Sequence, residues 1–343
     1  MLKIKIFRVL AAALVMAGLV PAAPARATEK LRIGLLPIAD TLLLRVADRE
    51  GYFAREGLTV ELIPFQSAVE KDAAAVAGQL DGYFCELISV IVQRAAGLGF
   101  TAVASTSHTS PEARFFGLVT APNSSAQSLG DLKDRSLAVA RQSIVDFLAD
   151  IFLEKAGHPT DFMARRDIRK IPVRLQMLLA GRVEAALFPE PLLSIAEQAG
   201  GRVLMDDRGL DMPLALVALA DSKATPANVG ALRGALARAA EAINRNPAAY
   251  VGLLNEARLI PPQLTATFRP PISDLGKVPD QLPSRELYQA YIRYLVKIGA
   301  LAELGAGGRP SKAPPPYEEV VWTGETGTGE TGTGKAGNYC CAE

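Results

Sequence analysis

Leu43-Leu44-Arg45-Val46-Ala47-Asp48-Arg49-Glu50-Gly51-Tyr52-Phe53-Ala54-Arg55-Glu56-Gly57-Leu58-Thr59-Val60-Glu61-Leu62 changes its period within twenty residues. From Thr41 to Glu50 it has helical character, and Gly51 stands where a helix closes on a left-handed residue. From Thr59 the pattern becomes Val60, Leu62 and then Pro64, the alternation of a strand. Upstream, Leu31 to Leu35 is a short apolar run ending at Pro37 and reads as a buried strand. Downstream, Ala68 to Ala77 is an Ala-rich helix closed by Gly78, Gly82 to Phe84 a brief strand, Leu87 to Ala96 a helix and Thr101 to Ser105 a strand. Strand and helix alternating in this way imply a parallel sheet with helices on both faces.

The rhythm returns further on. Ser136 to Ala140 reads as a strand, and Ser143 is placed to cap a helix that runs to Ala156 and stops at Gly157. Ile168 to Ile171 is then expected as a strand, Val173 to Ala180 as a helix, Ala185 to Phe188 as a strand, Pro191 to Ala199 as a helix and Arg202 to Leu204 as a last strand. The segment Gly78-Gln79-Leu80-Asp81-Gly82-Tyr83-Phe84-Cys85-Glu86 has an echo in Gly181-Arg182-Val183-Glu184-Ala185-Ala186-Leu187-Phe188-Pro189-Glu190. Each is a helix-ending Gly, an apolar residue, an acid, a short strand and a carboxylate at the strand's end. The echo points to two lobes of one design. Phe115 to Val119 and Leu214 to Leu219 are strand-like runs placed to cross between them. From Thr225 the chain is mostly helical, with Thr225 a cap, Pro226 the first helical residue and Ser284 the cap of a later helix closed by Gly299.

The whole chain fits this plan. Its 343 residues suit about two domains, and an apolar share of 49% supplies a sizeable core. A net charge of +1 argues against a nucleic-acid partner. Three cysteines give no disulfide framework, and with His108 and His158 the only histidines there is no metal-ligand spacing. No cofactor is expected. Lys3, Lys5 and Arg8, the apolar run Val9 to Val20 and Ala25-Arg26-Ala27 form a cleavable export signal with the cut after Ala27. The run is too short to span a bilayer comfortably, and no Cys near the cut invites a lipid anchor. The chain is therefore expected in the periplasm or outside the cell. After Trp322 the Gly/Thr repeats lack an apolar period and read as a disordered tail or a cloning scar.

The stretch from Leu43 to Leu62 resembles the first βαβ unit of the solute-binding proteins for nitrate, sulfonates, taurine and thiamine-pyrimidine precursors. In that family a helix ends in a Gly-Tyr/Phe-Phe turn followed by Glu-Gly-Leu and a strand, as in Gly51-Tyr52-Phe53 and Glu56-Gly57-Leu58 here. The likeness continues through Ala77-Gly78-Gln79-Leu80-Asp81-Gly82 and Ser128-Leu129-Gly130-Asp131-Leu132-Lys133, and covers roughly 30 to 320. It implies an α/β, two-lobed periplasmic-binding-protein fold, type II-like, with two crossover strands and a helical C-terminal region. The corresponding division is 1–27 signal, 28–117 first part of lobe 1, 118–217 lobe 2, 218–322 the return to lobe 1 with the C-terminal helices, and 323–343 tail. It also implies a non-enzymatic, monomeric protein whose partners are a small-molecule ligand and the permease and ATPase of an ABC importer.

Ligands of open α/β sheets sit beyond the carboxyl ends of strands, where helix N-termini offer free amides. Reading those positions gives Asp40 and Thr41, Gln66 and Ser67, Cys85 and Glu86, Ser107 and His108, Gln142 and Ser143, and Glu190 as candidate ligand contacts. Each has a plainer role available. Asp40, Thr41 and Ser143 can cap helices, Asp146 matches a helix dipole, and Cys85 reads better as a small buried apolar group than as a reactive thiol. These positions hold carboxylates and no Arg or Lys, which points away from a strong oxyanion and towards an amine-bearing or heteroaromatic ligand. Helix N-termini and Arg141 or Arg174 leave the oxyanion alternative open. A periplasmic sensor of the same fold is the alternative function. A pyrimidine-precursor enzyme is less favoured, because its cysteine-rich cluster is missing and Cys85 and His108 have no third orienting group.

Overall fold

The computed structural model describes residues 29–260, 278–303 and 314–324, with Pro262, Thr265, Ala266, Phe268 and Pro270 between them. The export signal and nearly all of the Gly/Thr tail lie outside the described residues. Among the described residues ten strands form two sheets of five.

The first sheet holds β1 (Glu29–Leu35), β2 (Leu58–Pro64), β3 (Gly82–Cys85), β4 (Phe100–His108) and β10 (Pro213–Ala220). Its helices include α1 (Leu42–Arg49), α2 (Tyr52–Arg55), α3 (Ala68–Val76) and α4 (Leu87–Ala95). Gly51 between α1 and α2 has φ 68°, a left-handed conformation that a side chain would strain. The second sheet holds β5 (Phe116–Thr120), β6 (Ser136–Val139), β7 (Ala164–Asp167), β8 (Ala185–Pro189) and β9 (Val203–Asp206), with α5 (Ile144–Lys155), α6 (Ile171–Leu179) and α7 (Leu192–Gln198). The return from the second sheet leads through β10 to α8 (Pro226–Arg245), α9 (Val251–Glu256) and α10 (Arg285–Lys297). Thr225 and Ser284 cap α8 and α10 as expected, accepting from Asn228 N and Leu287 N, both at 3.2 Å.

Two expectations need correction. The sheets are mixed rather than parallel, because β10 runs antiparallel to β3 and β4, and β5 runs antiparallel to β8 and β9. A strand arriving from the other lobe enters at the edge where its neighbours end, so it must run against them. The strand expected at Ile168 to Ile171 is instead Ala164–Asp167, and Ile171 opens α6. This strand pairs only with β6 at the sheet's edge, where Arg165, Arg166 and Asp167 need no apolar neighbours.

The two sheets, β2-β1-β3-β10-β4 and β7-β6-β8-β5-β9, share one strand order, with β3 matching β8 and the crossover strands β10 and β5 in the fourth place. The repeated Gly-to-carboxylate segments therefore occupy equivalent positions. Leu31, Ile33 and Phe84 pack with Leu44, Leu236 and Ala239 on one face of the first sheet. The other face belongs to a core that runs on through Leu118, Leu137, Phe147 and Phe152 of the second lobe to Tyr291 and Leu295 of α10. One helix thus seals both lobes from behind.

Candidate functional site

The chain leaves the first lobe after His108 and returns at Pro213, so two short segments join the lobes. The lobes also touch directly. Ala39 N donates to Glu190 O at 3.4 Å, and Ile171 and Ile195 pack against the core of the first lobe. Lys170 Nζ lies 4.0 Å from Glu70 Oε1 across the gap.

Between them lies an open cleft with a volume of about 120 Å³. The first lobe contributes Asp72, Glu86 and Ser89 with an apolar floor that includes Ile88 and Val92. The second contributes Arg141, Gln142, Ser143 and Arg169. Helices α4 and α5 both point their N-termini into this space, since Glu86 is the N-cap of α4 and Ser143 that of α5. Neither side chain caps its own helix. Ser143 Oγ donates to Ala140 O at 2.8 Å, and Gln142 takes φ 61°, unusual for a residue with a Cβ. Glu86 is half-buried and receives a 3.4 Å contact from Ser89 Oγ. Burial raises its carboxyl above the usual range, against the pull of the nearby Lys71 ammonium.

Of the eleven candidates, Glu86, Gln142 and Ser143 line this cleft. A second group gathers where the lobes meet. Asp40 is 5% exposed; its Oδ2 accepts from Ser107 Oγ at 3.1 Å while Oδ1 is buried without a partner. Burial pushes its carboxyl up to about 7, with Asp207 and Glu86 adding to the rise and Ser107 opposing it. Glu190 accepts from Arg114 Nε at 3.0 Å and Ser194 N at 3.1 Å. It is thus paired at the junction and not among the residues that line the cleft beside Glu86.

The remaining candidates make local contacts. Thr41 Oγ1 donates to Ile38 O at 2.7 Å. Ser67 caps α3, accepting from Glu70 N at 3.2 Å, while Gln66 N donates to Glu70 Oε2 at 3.1 Å. Cys85 is fully buried in β3, and burial drives its thiol well above the usual value. His108 Nδ1 lies 2.9 Å from Thr109 O and Nε2 lies 3.6 Å from Asp211 Oδ1.

The candidate positions held no cation, yet the cleft carries Arg141 and Arg169. Arg169 escaped notice because its segment read as a strand interior. Arg174 goes elsewhere: it is buried over the Phe188 ring, donates Nη1 to Ile168 O at 2.9 Å, and burial pushes it down to about 10. Lys71, fully buried between Asp72 and the Tyr83 ring, and Asp207, which accepts from the Phe115 and Phe116 amides, carry no local sequence signal.

A family model described as NMT1/THI5 like matches residues 39–249, a span that takes in both lobes and the cleft. The chain belongs to the NMT1/THI5-like family. No curated protein matches it in sequence. Among solved structures, this NMT1/THI5-like chain is similar to the alkanesulfonate-binding protein SsuA from Xanthomonas axonopodis pv. citri bound to MOPS. The identity is 20% over 88% of this chain and 99% of that one, with a TM-score of 0.64. It is similar to the periplasmic aliphatic sulphonate binding protein SsuA from Escherichia coli at 19% identity, over 79% and 93% of the two chains, with a TM-score of 0.63. With the periplasmic nitrate-binding protein NrtA from Synechocystis PCC 6803 it shares 12% identity over 87% and 86%, with a TM-score of 0.60. These similarities establish the two-lobed periplasmic-binding-protein fold for this NMT1/THI5-like chain. Among the described residues no helix is long and apolar enough to cross a membrane.

Proposed function

We propose that this protein is an extracytoplasmic solute-binding component. It captures a small polar molecule bearing an amine or a nitrogen heterocycle and delivers it to the permease and ATPase of an ABC importer. The observation that carries the reading is the cleft to which both lobes contribute polar side chains, with two helix N-termini directed into it. Such a site holds a small ligand by converging polar groups, and two connecting segments let the lobes close over it. Export through the N-terminal signal and action as a monomer complete the reading. A non-enzymatic role is supported by the buried, raised thiol of Cys85 and by the engagement of His108 with Thr109 and Asp211. Fold kinship with sulfonate- and nitrate-binding proteins supports capture and leaves the ligand to the cleft's own chemistry. Native mass spectrometry of the gently purified protein tests this. The expected result is a one-to-one adduct of a small nitrogen-containing molecule, released unchanged on denaturation. Release of a chemically altered product would overturn the binding-protein reading.

A further inference from the structure

Two carboxylates lie buried where the lobes are joined, and neither forms an ion pair among the described residues. Asp40 sits just after β1 on the first lobe, and its neighbour Ala39 donates its N–H to Glu190 O of the second. Asp207 opens the returning crossing. Its Oδ1 accepts from Phe115 N at 2.9 Å and Phe116 N at 3.2 Å, so it ties one crossing to the other. Each acid keeps one oxygen, Asp40 Oδ1 and Asp207 Oδ2, buried without a partner. The groups that face Asp40 are the Ser107 hydroxyl of β4, which donates at 3.1 Å, the Asp207 carboxylate from the crossing and the Glu86 carboxylate at the start of α4. The cations and the histidine of these elements are committed elsewhere. Arg45 of α1 donates to Thr41 Oγ1 at 3.1 Å, Arg114 pairs with Glu190 and Glu197, Arg208 pairs with Asp206 at 2.6 Å, and His108 lies 3.6 Å from Asp211.

Buried charges of one sign without a counter-ion are costly, and a proton on one of them removes much of that cost. Parting the lobes breaks the Ala39–Glu190 contact and brings water to Asp40, whose carboxyl then ionises as an exposed one does. We propose that Asp40 and Asp207 form a proton-dependent latch on the hinge, shut while Asp40 carries a proton and released when it ionises. Closing takes one proton from the solvent, and opening returns it. The shut form holds the proton more tightly, since burial first and then the charges of Asp207 and Glu86 raise its Asp40 carboxyl from 3.8 to about 7. The ratio of open to shut molecules therefore rises with pH between those values, by up to about tenfold per pH unit. The inference rests on the capture reading for what closure achieves, and it adds a control on when the captured molecule is let go.

Solution scattering of the ligand-free protein from about pH 4.5 to 8 tests it, with circular dichroism to check that the fold is kept. The radius of gyration should grow with pH in the wild type and stay at its low-pH value in Asp40→Asn, whose amide is neutral throughout. Segments outside the lobes contribute equally to both proteins, so the difference belongs to Asp40. Ser107→Ala removes the hydroxyl that favours the ionised carboxylate, and should move the opening transition to higher pH. A wild-type radius that ignores pH, or a pH response that survives in Asp40→Asn, would overturn the latch. A transition that Ser107→Ala leaves in place or moves to lower pH would do the same, and this variant decides the matter if Asp40→Asn does not fold. No ligand enters these measurements, so their failure leaves the capture reading standing. Release of an altered product in the mass spectrum would sink capture without touching the latch.

Discussion

Asp40 shows what burial does to one carboxylate. Its position just after β1 is readable from the sequence; its pairing with Ser107, more than sixty residues away, is not. Because burial raises its folded pKa from 3.8 to about 7, the native state holds the proton more tightly than the unfolded chain does. The linked stability is therefore fully present below the ordinary carboxylate range and is lost as pH rises towards 7. Asp207, pushed up to about 6 mainly by burial, acts in the same sense. Urea unfolding of the wild type should accordingly show a falling midpoint between pH 4 and 8. Asp40→Asn should flatten that fall and gain up to about 4 kcal/mol over the wild type at pH 8. An Asn variant with an unchanged slope would mean that the carboxyl is already solvated.

At the scale of elements, the first turn of α3 distinguishes a cap from a ligand contact. Ser67 Oγ accepts from Glu70 N, and the Glu70 carboxylate reaches back to Gln66 N, so the Ser67 hydroxyl is committed to starting the helix. Ser67→Ala should cost about 1 kcal/mol in unfolding free energy and leave ligand affinity unchanged in calorimetry. A loss of affinity without loss of stability would return Ser67 to the site. Behind the cleft, α10 has the opposite character, since its contacts are long-range. Tyr291 stacks on Phe147 at 4.1 Å and Tyr294 OH donates to Asp146 at 2.7 Å, the same Asp146 that receives Arg141 from the cleft wall. The sequence shows a capped, apolar-periodic helix here but not that it packs on α5 of the second lobe.

For the whole molecule, the question is how far the lobes turn. The crossings at 109–115 and 207–212 are short and the paired crossover strands are anchored inside their sheets, so rotation pivots on these segments and must also shift the contacts of α10 with both lobes. The Glu70–Lys170 pair and the Ala39–Glu190 bond sit where the lobes approach and would be remade on each cycle. Solution scattering with saturating ligand should give a smaller radius of gyration than the ligand-free protein. An unchanged radius for a ligand verified by calorimetry would place binding outside a hinge mechanism.

What the sequence determined by itself was the alternation of strand and helix, the helix stops at glycines, the caps at Thr225 and Ser284, the two crossing strands and the repetition of one lobe design. These features are local, written in apolar period and in residues that few other conformations accept. The edge strand β7 escaped because an edge imposes no apolar pattern. The direction of β5 and β10 escaped because it depends on which rim of the sheet the chain re-enters. The site divides in the same way. Glu86, Gln142 and Ser143 follow from the rule that ligands gather at strand ends. Only tertiary structure could turn Glu190 onto Arg114, bury Cys85 and Arg174, and set Arg141 and Arg169 opposite Glu86. Charge complementarity across a cleft is a property of two surfaces brought together, and no local pattern in either segment encodes it.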